Sequence, residues 1–371
     1  MPLPSMPTPG SSSSSASLRS SRIDIDDDPL ALYELSLREG WGDGLPMLPA
    51  TEARVLELVA ATPFALDRVI ALLAPNQGAA TVERIAVNAA MAGVAPDAFP
   101  YVIAAIEAIA RPDHNLIGLT TTTSSAVSAL VINGPRRRTL GFDDDAGCLG
   151  GAAGRGSNTV GRAVQLCLRN IGGMHVGVTS KSVFGQPGRT TGMCFGEAEE
   201  RSPWPTLAEQ RGFARDDEVV HAHAAKGTHA FADGNTADAR ELIALIAKTI
   251  AFPLGNAFHG PPRRGETMLL VNPLWAERFG RVFPEVHDFQ ACLLEHAWQS
   301  IDQWPVAARA LLETKDRVGR DGRVHMHERP EQFVVVVCGG LGNLHGIALA
   351  TWGESTMQSA AVTPQRGLLA G

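Results

Sequence analysis

The chain of 371 residues is 44% hydrophobic and 19% charged, which excludes a fibre or a wholly disordered polymer, and no apolar run reaches the ~18–20 residues of a membrane span. With 32 Lys and Arg against 39 Asp and Glu the net charge is −7, and the absence of a long basic run removes the footprint of a nucleic-acid binder. The five cysteines (Cys148, Cys167, Cys194, Cys292 and Cys338) are widely spaced with no CxxC pair, which argues against a disulfide framework and a closed thiolate zinc site; with no basic segment leading into an apolar stretch at the start, a cytoplasmic, reducing location is expected.

In chain order, residues 1–22 combine Pro2, Pro4, Pro7 and Pro9 with the run Ser11 to Ser15 and read as a disordered tail, because they cannot bury enough apolar area to offset chain entropy. Asp24 and Asp26 to Asp28 precede Pro29 and the apolar rhythm of Leu30, Tyr33, Leu35 and Leu37, which predicts a short helix stopped at Gly40. Helices are predicted over about 51–61, 64–73, 81–92 and 97–110, with Thr51, Thr81 and Asp97 as N-caps, so residues 23–112 form a helical N-terminal region. The apolar helices between 81 and 110 could cover a partner subunit, making a homo-oligomer the expectation.

Beyond Pro112 the texture changes: Leu116 to Leu119, Thr120 to Thr123 and Ala129 to Ile132 read as strands. Three segments share a layout of strand, sharp turn and helix: Ala129 to Ile132 with Asn133-Gly134-Pro135, Met268 to Val271 with Asn272-Pro273, and Phe333 to Val337 with Cys338-Gly339-Gly340. They predict a weak internal repeat. Helices near 158–171, 235–250, 273–281, 285–299 and 304–314 alternate with the strands. The expected fold is α/β, a mixed sheet flanked by helices beside the N-terminal helical layer, with a first unit over 113–260 and a second over 261–371.

Candidate chemistry falls in a few stretches. Gly147 to Asn158 is glycine-rich and opens a helix, so its backbone N–H groups and the fork of Arg155 could hold an anion, with Gly154, Gly156, Ser157, Asn158, Asn133 and Trp204 as further binding residues. The same stretch also reads as a glycine-rich connection packed on a sheet, and it has neither a Walker lysine nor a dinucleotide fingerprint, so no cofactor is specified. Cys194, Glu197, Glu199 and Glu200 crowd three carboxylates and a thiol together, which suits a general acid or base at Glu199 or Glu200, with His229 as a second such group. Cys194 is a weaker nucleophile there, because neighbouring carboxylates oppose thiolate formation. His221 and His223 would share one face of a strand and, with Asp233, make a weak metal candidate or a plain surface pair. No Gly-x-Ser-x-Gly elbow or HExxH occurs, which disfavours the common serine hydrolases and zinc peptidases.

Gly40-Trp41-x-Asp43-Gly44-Leu45-Pro46, Ala80-Thr81-Val82-Glu83 to Gly93, Val131-Ile132-Asn133-Gly134-Pro135, Asn158 to Gly173 and Ser202-Pro203-Trp204 together resemble a group of bacterial proteins loosely linked by the name UGSC-like, after a Cys/Sec-Gly-Ser-Cys motif. The likeness runs from about residue 35 to 350, although the namesake motif is absent and Cys338-Gly339-Gly340 is its nearest piece. The resemblance implies a redox flavour, and recurrent polar positions at Glu199, Glu200, Trp204, His229 and Asp233. From the residues themselves, the leading expectation is a lyase or hydrolase acting on a small anionic molecule through carboxylate and histidine acid–base groups. The alternatives are a thiol-dependent oxidoreductase or transferase using Cys194 or Cys338, and a non-catalytic protein that binds a small ligand.

Overall fold

The computed structural model describes residues 18–150, 152–258 and 262–363. Most of the expected tail (1–17), Gly151 of the glycine-rich stretch, and the expected unit boundary at 260/261 therefore lie outside the described residues. Residues 18–22, expected to belong to the tail, instead dock on the N-terminal layer: the N–H groups of Arg19 and Ser20 and the Ser20 hydroxyl donate to the buried Glu83 carboxylate at 2.9, 2.7 and 2.6 Å.

The N-terminal layer contains α1 (Pro29–Arg38), α2 (Glu52–Ala60), the antiparallel pair β1 (Val69–Leu73) and β2 (Gly78–Thr81), α3 (Val82–Ala92), α4 (Phe99–Ile109) and α5 (Leu116–Thr121). The caps explain the boundaries. Thr51 and Thr81 accept from Arg54 N–H and Arg84 N–H, and Gly93 ends α3 in the left-handed region at φ +85°. Three expectations are corrected. Residues 64–73 are not a helix, because Val69 to Leu73 pair with the strand that follows them. Leu116 to Thr121 is not a strand, because Asn115, itself at φ +57°, caps a helix through its side chain to Gly118 N–H. Asp97 is likewise not the cap of α4; it lies in a short 3-10 turn ahead of it.

The rest of the chain builds two four-stranded mixed sheets. In chain order it runs β3 (Val127–Asn133), α6 (Arg155–Asn170), α7 (Gly188–Thr191), β4 (Met193–Gly196), α8 (Leu207–Gln210), β5 (Val219–Ala225), β6 (His229–Ala232) and α9 (Ala239–Ile250). It continues through β7 (Thr267–Val271), α10 (Pro273–Val282), α11 (Val286–His296), β8 (Trp298–Ser300), α12 (Val306–Thr314), β9 (Arg323–His325), β10 (Phe333–Val337), β11 (His345–Ala350) and β12 (Gln358–Ala361). The first sheet has the order β12-β5-β3-β4 and the second β6-β11-β7-β10.

In each sheet the central strand pairs in parallel with one neighbour and antiparallel with the other: β3 with β4 and β5, β7 with β10 and β11. The fourth strand is exchanged, since β6 joins β11 and β12 joins β5. The internal repeat is thus β3, β4, β5, β6 against β7, β10, β11, β12, which matches Asn133 to Asn272 as the sequence pairs them but makes β10 the counterpart of β4. The exchange ties 113–260 and 261–371 into each other.

Buried alternation assigns the faces. Ala129, Val131 and Phe195 of the first sheet meet Met268, Leu270, Val334, Val336 and Leu349 of the second. Leu130, Ile132 and Val220 turn outward onto α3, α4 and α6, while Leu269, Val271 and Val335 turn outward onto α9, α10 and α11. The layers are helix, sheet, sheet, helix. Among the described residues no helix is long and apolar enough to cross a membrane.

Candidate functional site

The parallel strand pairs of the two sheets end side by side. Glu197 N–H donates to Ile132 O at the end of β4, Cys338 N–H donates to Val271 O at the end of β10 (both 3.1 Å), and Ala198 N–H bridges to Val337 O at 2.7 Å. Glu197 and Cys338 are therefore neighbours across the pseudo-symmetric junction. The loop that follows β3 closes over it: Gly339 N–H donates to Asp144 O at 2.9 Å, and a Cβ on Gly340 would sit 3.1 Å from the Ala146 Cβ, so the two loops are in direct contact. This contact delivers Cys148 to Cys338, and the two residues line the same cavity wall and act on each other electrostatically.

The loop is anchored by Arg137, which is almost fully buried. Its Nε donates to Glu197 O at 2.7 Å, and its guanidinium pairs with Asp144 (3.4 Å), Glu199 (3.2 Å) and Glu200. Arg138 adds a 2.7 Å bond to Asp144 and a 3.1 Å pair with Glu200. Buried charge at this junction is thus satisfied by opposite charge, which fixes the loop's path.

Electrostatics divides the two thiols. The Cys338 thiol beside it favours the Cys148 thiolate and lowers its pKa, against burial and the charges of Asp143 and Asp144. The same interaction, together with burial and the nearby Glu197 charge, pushes Cys338 up. Both are free cysteines. Burial also raises Glu197 to about 7; the Glu199 charge adds to the rise, while bonds from Asn133 Nδ2 (2.7 Å) and Leu207 N–H (2.8 Å) and the Arg137 charge oppose it. The thiols line a cavity of about 610 Å³ with Ala146, Gly147, Leu149, Leu270, Asn272, the 339–342 loop, His345, Gly346 and Ile347. Two thiols meet at one cavity, and Glu197, a group able to exchange a proton near neutral pH, lies behind Cys338 and outside the cavity lining.

The residues singled out in the sequence fall in several places. Cys338 lies in this site. Glu199 and Glu200 border it but are engaged as Arg137 partners, Glu199 also accepting from Asn133 Nδ2 and Gly134 N–H at 2.7 and 2.8 Å. Asn133 holds the Glu197 and Glu199 carboxylates together, and its buried Oδ1 has no hydrogen-bond partner among the described residues. Cys194 is elsewhere, buried against Gly161 of α6, where burial and then Asp143 raise its pKa.

The expected anion cradle is occupied by its own protein contacts. Both Arg155 Nε and Nη2 donate to Gly93 O (3.3 and 3.1 Å), Gly154 N–H donates to Asp143 Oδ2 (3.0 Å), and Ser157 Oγ accepts from Asp143 N–H (2.9 Å). Gly156 lies so close to Leu140 O that a Cβ would approach it to 2.5 Å, and Asn158 Nδ2 turns back to Gly154 O at 3.0 Å. Trp204 is a core residue whose Nε1 donates to Phe283 O at 2.9 Å.

His229 packs its ring 4.8 Å from Phe252, away from the glutamates. His221 and His223 do share a strand face, but that face is the buried layer between the sheets. His221 Nδ1 bonds Ser359 Oγ (2.7 Å) and His223 Nε2 bonds Leu349 O (2.9 Å). Asp233 caps its own turn by accepting from Asn235 and Thr236 N–H groups. Among the described residues no group of three His, Cys, Asp or Glu is gathered as a metal site.

Sequence reasoning passed over Cys148, Glu197 and Arg137. The available signal was the position of Cys148 inside the glycine-rich stretch and of Glu197 at the end of a short apolar strand. No protein-family model matches the chain, and no curated protein is significantly similar to it.

Proposed function

We propose that the protein is a thiol-dependent oxidoreductase in which Cys148 and Cys338 work as a pair on a small organic disulfide in the adjoining cavity. One observation carries this reading: two free cysteines, from loops remote in sequence, come together at one cavity wall, where each alters the other's ionisation. The redox flavour of the UGSC-like resemblance agrees with it.

In the forward direction the Cys148 thiolate attacks one sulfur of R–S–S–R, the S–S bond breaks, and RS⁻ leaves and takes a proton. Cys338 then gives its proton to Glu197 or water and attacks Cys148 Sγ, releasing the second RS⁻. Two protein thiols become one disulfide, two electrons pass to the substrate, and two RSH form. A separate dithiol must reduce the pair for turnover. The acid–base role that the sequence assigns to Glu199 and Glu200 passes to Glu197, whose value near 7 suits proton exchange.

The test uses the uncharged reagent 4,4′-dithiodipyridine with the full-length protein. Wild type is expected to release two equivalents of thiopyridone and lose two mass units, with a Cys148–Cys338 cross-link found by peptide mapping. Cys338→Ser is expected to release one equivalent and retain a mixed disulfide on Cys148. A wild-type mixed disulfide that persists, or a native Cys148 that does not react, overturns the reading.

A further inference from the structure

We infer that the substrate of this site is an uncharged disulfide with an apolar body, rather than an anion; the inference rests on the thiol-pair reading and concerns which ligands that pair accepts. Among the described residues no Lys or Arg lines the cavity. Its side chains are mainly apolar (Leu149, Leu270, Leu341, Ile347), the glycines between them expose backbone rather than charge, and among the described residues His345 is the one ionisable group of the lining besides the thiols. The charges nearest the thiols are acidic: Asp143 and Asp144 act on Cys148, and Glu197 and Asp144 act on Cys338, each opposing a further negative charge. The nearby guanidiniums of Arg137 and Arg138 are committed to Asp144, Glu199 and Glu200.

The rim extends the apolar character. Leu341 and Leu344 on the loop between β10 and β11 are exposed at 60% and 46%, and Gly339 and Gly342 have open space where a side chain would stand, so the mouth admits a bulky apolar group. An anion entering here would leave water for a site with negative potential and an apolar wall, whereas a neutral body loses only water contact.

The test compares alkylation of Cys148, read on its own peptide, by iodoacetamide and by iodoacetate, each normalised to 2-mercaptoethanol. Full-length wild type is expected to favour the neutral reagent by about tenfold or more, in line with electrostatic focusing in a cleft. It should also react faster with N-cyclohexylmaleimide than with N-ethylmaleimide. Leu341→Lys, at an exposed position that leaves the core intact, is expected to recover much of the iodoacetate rate. Equal or faster normalised reaction with iodoacetate overturns the inference and leaves the thiol pair standing. No reaction of Cys148 with either reagent removes the thiol pair itself and this inference with it.

Discussion

Cys148 and Cys194 carry the same group only a short way apart in sequence, and surroundings alone separate their chemistry. Cys194 is enclosed by apolar side chains of the outer layer, with burial and Asp143 both opposing ionisation. Cys148 has the Cys338 thiol beside it, which favours its thiolate, and faces open volume. Glu197 stands in the same relation to Glu200: one carboxyl is wholly buried and raised, the other half-exposed and held by two arginines. Glu197→Gln therefore tests the proton step. It should leave the first thiopyridone release unchanged and slow the second by about 10²-fold, the usual scale of a lost general base. In wild type the second rate should climb with pH around 7, as Glu197 ionises, and the variant should lack that rise. Stopped-flow traces in which both releases match wild type would remove Glu197 from the mechanism. Sequence alone exposed the carboxylate cluster but not its ranking, because the groups that hold the buried Glu197 and Glu199, such as Asn133 and Gly134, lie far away in the chain.

At the level of elements, legibility followed locality. The helix over Val82–Ala92 was readable because its Thr81 cap, apolar spacing and Gly93 stop lie within one short window. Strands β7 and β10 were readable from runs of buried apolar residues. The stretch 64–73 failed because its apolar residues fit either period, and what decides for a strand is pairing with Gly78 to Thr81. The layout of strand, turn and helix hinted at duplication, but the exchange of β6 and β12 between sheets leaves no local trace. The same limit hid the site. Cys148 meets Cys338 only because Gly339 bonds Asp144 and Gly340 packs on Ala146, contacts that no spacing rule encodes.

Across the whole molecule, burying histidines neutral makes the fold sensitive to acid. Burial is the leading cause that lowers His114, His221 and His327 to about 3, and it lowers His223 as well. Above about pH 6.5 these rings are neutral in folded and unfolded chains alike; below it the unfolded chain binds protons that the folded chain refuses, so stability falls as pH drops toward 3. The raised Glu107, Glu197 and Glu218 act oppositely, since the folded chain keeps their protons above the ordinary value of 4.5, but that offset vanishes below it. Urea midpoints should therefore fall from pH 6 to pH 4, most steeply below about 4.5; a flat or rising midpoint would contradict this accounting of the buried rings. The claim on which the functional account depends is that the two loops, joined through the exchanged sheets, make Cys148 and Cys338 one coupled unit. Its most direct measurement is the pH dependence of Cys148 alkylation by iodoacetamide in wild type and in Cys338→Ala. The coupling predicts that wild-type Cys148 titrates below the ordinary thiol value of 9.0 and that the variant titrates higher, because the Cys338 thiol that favours the thiolate is gone. Identical titrations in the two proteins would contradict it.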